Sequence, residues 1–297
     1  MRRERQPLGV IVGLTTYFEW RIYEALYGRE AMMLLAALLQ REMERDFLRF
    51  HTEGNPQYTA LASYVPGSVD PDDTFSRVPY CKGALFITAL EQAVGREKFD
   101  AFLLAYIKTH RFTSIDTATF LDFVAKELPG ALEATQAWRW VYEAGLPANC
   151  PKLESPLIDE VARYAEAKQI PPEEVGNKWI AMQWVLYLEL LERPIKSAFA
   201  YAIDHDYGLS TAANTDVRWA YLLLALEAGY LDVNDAVEKL VSEVGRMKYI
   251  LPIYKAMAKT PNGVAWARRV FNAVKAGYHP IATAQVERIL GEAERAP

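Results

Sequence analysis

Histidine and cysteine are scarce in this 297-residue chain, with four of the first and two of the second. His51, His110, His205 and His279 are far apart, and none forms an H-x-x-x-H or H-x-x-E-H pair. A histidine-based metal site is therefore not written in the sequence. Cys81 and Cys150 make no Cys-rich framework, so free thiols in a reducing cytoplasm are expected. Positive charge is short as well. The formal net charge is −5, which disfavours nucleic acid as a partner because phosphate binding needs a basic surface. Long apolar runs are absent. The longest, Ala31 to Leu39, has nine residues, against the roughly twenty needed to span a bilayer. The start, MRRERQPLGVIVGL, has a signal-like basic-then-apolar order. Its apolar stretch is short, Pro7 interrupts it, and no small-residue cleavage site precedes Thr15–Thr16. A soluble cytoplasmic protein is expected. No phosphate-cradling glycine loop occurs, and no alternating stretch is long enough to build a sheet.

What the chain does have is core material and helical periodicity. Half of it is apolar, with 7 Trp, 17 Tyr and 12 Phe. Phe99, Phe102, Leu103, Tyr106 and Ile107 fall at i, i+3, i+4, i+7 and i+8, one stripe of an amphipathic helix. Val217, Ala220, Tyr221, Leu224 and Ala225 repeat the pattern. Gly28 and Gly95 read as helix stops, Asp116 or Thr117 as the cap of a helix running to Leu128, and Pro129–Gly130 as its end. Two stretches lack the period. Residues 52–78 read as a long loop, a place where function often resides. Residues 145–156 contain three prolines and read as the junction of two helical blocks. After Leu157, breaks at 169–172, 193–194, 208–214, 229–232 and 261–263 space short helices as in a stack of helix pairs.

Residues 71–86, PDDTFSRVPYCKGALF, and 243–250, EVGRMKYI, hold the candidate site residues. Taken alone Tyr80 reads as a helix-entry aromatic packed on the core, although a neutral phenol can donate a hydrogen bond to a developing oxyanion. Asp70, Asp72 and Asp73 read equally as a site for a substrate ammonium or as a solvated Asp–Pro–Asp turn. Arg246 and Lys248, at i and i+2, do not share a helix face. Alone they read as a solvated surface pair, but on a loop or helix start they can converge on one carboxylate, the arginine fork binding it in bidentate fashion.

Together these segments resemble the V-P-Y-x-K-G and G-R-M-K signatures of the gluzincin M1 aminopeptidases of the leukotriene-A hydrolase type. The resemblance covers nearly the whole chain, from about Gly13. It implies an all-α fold in which the remainder of a helical thermolysin-like catalytic domain (13–145) is followed by a linker (146–156) and a HEAT/armadillo-like α-solenoid (157–297). Residues 1–12 are an unrelated start. It also implies a transition-state role for Tyr80, binding of the substrate's amino-terminal residue by Asp72, and capture of its carboxylate by Arg246 and Lys248. Cys81 stands where many relatives carry glutamate, and Phe75 where some carry a second tyrosine. The family's zinc depends on H-E-x-x-H and on the glutamate of N-E-G. The first is missing. Counting back from Glu19 in Thr15-Thr16-Tyr17-Phe18-Glu19 puts Val12 at the second, and valine cannot ligate zinc. No metal is expected in this chain and no useful hydrolysis by it alone. The partners implied are a peptide or peptide-like ligand and the missing amino-terminal part. The same features fit a displaced start within a longer gene. A non-catalytic helical scaffold that binds a peptide or protein is the alternative. A partial catalytic domain should also expose apolar surface.

Overall fold

Gly9, Gly13 and Gly83 decide how the first part of the chain packs. The computed structural model describes residues 9–63 and 74–295, and among them every regular element is helical. The fold is all-α and falls into two units, residues 1–156 and 157–297. In the first unit α1 (Gly9–Tyr27) lies across α3 (Val78–Val94), its main partner, with α2 (Arg29–Thr52) beside both. A Cβ added at Gly13 would sit 2.3 Å from the Cα of Gly83, and one added at Gly83 would sit 2.7 Å from the Cα of Gly13. A Cβ at Gly9 would meet the Leu61 carbonyl oxygen at 2.4 Å. Gly9 and Gly13 are one turn apart, so they form a bare strip on one helix face that lets two backbones touch. The close crossing buries α3 on almost every side, Ala84 to Ile87 being fully inaccessible.

Further along, α4 (Arg96–His110) buries Phe99, Phe102, Leu103 and Tyr106, and Phe102 and Tyr106 both meet the ring of Phe120 on α5 (Thr117–Glu127). Ile107, the outermost member of that stripe, is 47% exposed. At i+8 it has rotated about 80° from Phe99 and lies at the edge of the apolar arc. Asp116 is the cap of α5, its carboxylate accepting from Thr119 N at 2.8 Å. Two short helices, α6 (Ala131–Thr135) and α7 (Ala137–Tyr142), close the unit, and Trp140 is buried against Phe86. Gly28 and Gly95, at φ 87° and 85°, separate α1 from α2 and α3 from α4. Ile22, Leu26 and Tyr27 of α1 nevertheless stay 61%, 67% and 64% exposed.

The second unit is a helical repeat. Its elements are α8 (Pro156–Glu166), α9 (Glu173–Gly176), α10 (Ala181–Leu190), α11 (Ser197–Tyr207), α12 (Thr215–Glu227), α13 (Asn234–Glu243), α14 (Met247–Met257), α15 (Pro261–Val274) and α16 (Pro280–Arg295). Packing runs between next-but-one helices. α10, α12, α14 and α16 form one continuous row, and α13 touches α15 in a second row. Each hairpin thus buries its face only against its neighbours, the physical basis of a solenoid. Val217, Ala220, Tyr221, Leu224 and Ala225 are all buried in α12, as their spacing requires.

One expected break moves. Pro261–Gly263 opens α15 instead of interrupting the chain, because proline fits the first helical position and Thr260 caps by accepting from Gly263 N at 3.1 Å. Asn214 caps α12 in the same way, accepting from Val217 N at 3.1 Å. Asn214→Ala should cost about 1 kcal/mol, visible as a small fall in melting temperature with unchanged helix content. A melting curve superimposable on the wild type would show that the cap bond contributes nothing. Among the described residues, no helix is long and apolar enough to cross a membrane.

Candidate functional site

Tyr80 stands in the first turn of α3, and the chain before it is pinned from two sides. Arg77 donates its backbone N–H to Asp46 at 2.7 Å and its Nε to Glu42 at 2.8 Å, tying the head of α3 to α2. Arg49 donates to the Phe75 carbonyl at 2.8 Å. Alternating faces of the helix then separate the residues of V-P-Y-C-K-G. Val78 and Cys81 point into the core, whereas Tyr80 is half-buried, edge-on to Phe75 at 6.3 Å and beside the Arg77 guanidinium at 6.0 Å. Among the described residues its hydroxyl has no hydrogen-bond partner, so its proton is unspent. Cys81 is fully inaccessible, and burial pushes its thiol well above the usual range, which removes it as a nucleophile.

Lys82 is the residue of this segment that sequence reasoning passed over. It is fully buried and donates to the carbonyls of Thr59 at 2.9 Å and Glu143 at 2.7 Å. Burial lowers its pKa to about 7, with Glu143 opposing. A lysine inside the apolar run Cys81 to Phe86 was the available signal, since such a cation must find buried acceptors. Tyr17, in the segment T-T-Y-F-E, is also structural. Its hydroxyl donates to Glu91 and accepts from Arg21 at 2.8 Å, while Arg21 forks onto Asp100 at 2.8 and 3.1 Å. Arg96 joins Glu91 to Glu24 at 2.7 and 2.6 Å, so one ionic network links α1, α3 and α4.

Asp72, with its neighbours Asp70 and Asp73, lies outside the described residues. The donor set for a zinc ion can be judged at the remaining positions. Val12 is a partly buried apolar residue of α1 and Glu19 an exposed acid on the same helix. Among the described residues no three His, Cys, Asp or Glu side chains gather as a metal site requires. His110 packs edge-on against Phe123, and His205 stacks on Tyr201. The residues described do not fit zinc.

In the second unit, Arg246 is the N-cap residue of α14 and Lys248 sits in its first turn. Arg246 is exposed and makes no hydrogen bond or ion pair among the described residues. Lys248 reaches Asp216 in the first turn of α12, Nζ to Oδ1 3.3 Å, and the Tyr249 hydroxyl donates to the same oxygen at 3.0 Å. Trp219 Nε1 donates to the Tyr249 carbonyl at 3.0 Å and locks the two helix heads side by side. Asp216 was not singled out from the sequence. The acid of N-T-D, just after a cap residue, reads there only as a favourable first-turn charge. Tyr80 belongs to the first unit, Arg246 and Lys248 to the second.

Two family models match the chain. The peptidase family M1 domain covers residues 11–139, and the leukotriene A4 hydrolase C-terminal domain covers residues 179–290. A leucine aminopeptidase 2 of Aspergillus niger is 34% identical over 295 residues, spanning 94% of this chain and 47% of that protein. A leukotriene A-4 hydrolase homolog of Botryotinia fuckeliana is 31% identical, spanning 94% and 44%. Among solved structures, the yeast leukotriene A4 hydrolase in complex with bestatin superposes with a TM-score of 0.83 at 25% identity, covering 95% of this chain and 50% of the other. The native enzyme from Saccharomyces cerevisiae gives 0.77 at 26%, covering 96% and 50%. Both family models and the helical repeat define one class, the metallopeptidase lineage. The chain belongs to peptidase family M1, in its leukotriene A4 hydrolase-like group. It spans about half the length of the curated relatives it matches.

Proposed function

We propose that this chain is the peptide-holding part of an aminopeptidase of the leukotriene A4 hydrolase type. Residues 13–145 correspond in this reading to part of the catalytic domain, 146–156 to a linker and 157–297 to the carboxy-terminal solenoid. Tyr80 donates its unspent phenolic proton to the oxyanion formed when the scissile carbonyl is attacked. Arg246 and Lys248 receive the far carboxylate of a short peptide, and Asp72 holds the amino-terminal residue. Bestatin, bound in the similar yeast enzyme, suggests a peptide-like ligand for this chain too. Two free thiols, one of them fully buried, favour a reducing cytoplasm as its setting.

The observation that carries the reading is Arg246 at the head of α14, exposed and unpaired among the described residues beside Lys248. An unneutralised guanidinium at a helix N-terminus is suited to a carboxylate through charge-assisted, forked hydrogen bonds. Family chemistry also needs a Lewis acid and a base. The residues described do not fit zinc, so the chain's own share is binding and hydrogen bonding, and it does not hydrolyse peptides by itself.

Calorimetric titration of the full chain with the tripeptide Leu-Ala-Ala and with its carboxamide tests the binding. The free acid should bind at least about tenfold tighter, and Arg246→Ala should erase that preference. Equal binding of acid and amide would remove the clamp from the proposal. Zinc-stimulated release of leucine from either peptide by the purified chain would overturn its inactivity alone.

A further inference from the structure

Lys248 does not face an empty site, because the structure gives it an anion of its own. Asp216 lies 3.3 Å from its ammonium, and the same carboxylate oxygen also accepts from the Tyr249 hydroxyl. Both partners are partly open to solvent, the lysine side chain 32% and the aspartate 46% exposed, so an incoming ligand can reach either. Arg246, two residues earlier, is exposed. The other acid nearby in sequence, Glu243, is engaged by Arg218 at 2.9 Å and by Lys239 at 3.9 Å. The named groups around the head of α14, Arg246, Lys248, Arg218 and Lys239 with Asp216 and Glu243, are thus net positive, and Asp216 is an acid set beside Lys248.

Resting on the proposed carboxylate clamp, we propose that Asp216 is its internal competitor, a specificity-determining residue that occupies Lys248 and lowers the affinity for a peptide carboxylate. A ligand carboxylate that reaches Lys248 must displace Asp216 or share the ammonium with it. In either arrangement two anions lie within several ångströms of each other. At the effective dielectric of a protein surface this repulsion is enough to change binding several-fold. It also gives the clamp a charge preference. A second acidic group on the ligand adds to the repulsion by Asp216. The tie between Asp216 and Tyr249 holds the acid in place, since the Tyr249 ring is buried and its carbonyl is fastened by Trp219.

Asp216→Asn keeps the acceptor for Tyr249 and removes only the charge. In the full chain it should tighten binding of Leu-Ala-Ala about three- to tenfold, leave the carboxamide unchanged, and lose most of the gain in 1 M salt. Asp216→Glu should restore wild-type behaviour. Asp216→Ser serves as a second neutral variant should the asparagine form melt early. The Arg246→Ala arm separates the two claims. If Arg246→Ala abolishes the preference for the free acid while neither neutral variant tightens it, Asp216 is not a competitor and the clamp stands. A weakening of acid and amide alike in both neutral variants assigns Asp216 a purely structural role and overturns the proposal. Absence of any preference in the wild type, including no detectable binding, overturns the clamp and this inference together.

Discussion

Replacing Gly83 by alanine is expected to destabilise the first unit by more than about 3 kcal/mol, the upper end of ordinary overpacking costs. Most overpacked sites relax because a side chain can rotate away. Here the new methyl would lie 2.7 Å from the Cα of Gly13 and 2.9 Å from the Gly9 carbonyl oxygen, so backbone meets backbone and only the helices themselves can yield. Separating α1 from α3 opens the most extensive helix contact of the unit and exposes Ala84 to Ile87. For a unit of this size the change corresponds to a fall on the order of 10 °C in melting temperature, read by circular dichroism. Gly291→Ala in α16 is the contrast. Its nearest new neighbour is the flexible tip of Arg295 at 3.6 Å, so alanine's better helix propensity should leave stability equal or slightly raised. A Gly83→Ala protein that melts within about 2 °C of the wild type would mean that the crossing carries little of the stability.

The stability of the protein is expected to rise between pH 7 and pH 9, an unusual direction that traces to Lys82. Its folded pKa is about 7 and its unfolded value 10.5, so in this window the unfolded chain binds a proton that the folded chain does not. Stability then increases with pH, by about 1.4 kcal/mol per unit at full difference. The neutral amine still donates two hydrogen bonds, one each to Thr59 and Glu143, and therefore keeps the structural tie while shedding the buried charge. Above pH 9 the gain levels off. Burial raises the thiols of Cys81 and Cys150, the latter to about 11 from 9.0, and the unfolded chain then releases protons that the folded chain retains. Tyr17, Tyr187, Tyr221 and Tyr254, all raised by burial, turn the curve downward beyond pH 10. Lys82→Met should flatten the limb from pH 7 to 9. It should also lower stability at pH 9 by a few kcal/mol, since two buried carbonyls lose their donor. Urea unfolding at half-unit pH intervals measures both. A wild-type curve flat from 7 to 9 would mean that the folded lysine stays charged, held by the two carbonyls.

Much of this architecture was legible from local patterns. The helical stripes of α4 and α12, the stops at Gly28 and Gly95 and the cap before α5 all follow from periodicity and backbone preference, which act within a few residues. Tyr80, Arg246 and Lys248 stood out through the resemblance of their segments to the V-P-Y-x-K-G and G-R-M-K signatures, since residue type and spacing alone would have left them a packed aromatic and two surface cations. Other features depended on partners far away in sequence. Ile107 belonged to the stripe by spacing, yet its place at the edge of the arc left it exposed. Pro261 looked like an interruption until Thr260 was seen to cap the helix it opens.

The sequence by itself determined that the chain is helical, that no H-E-x-x-H pair is written in it, and which segments carry a phenol, a guanidinium and an ammonium. These properties reside in residue identity and short-range spacing. Only the tertiary structure decided that Gly13 and Gly83 form a backbone contact, that Lys82 is a buried strut, and that Asp216 is set against Lys248. The residues in these pairs and ties are separated by 23 to 70 positions, and distance along the chain gives no information about contact until helices pack. Burial then determines whether a lysine is a solvated charge or a neutral hydrogen-bond donor, because the cost of a charge depends on its surroundings.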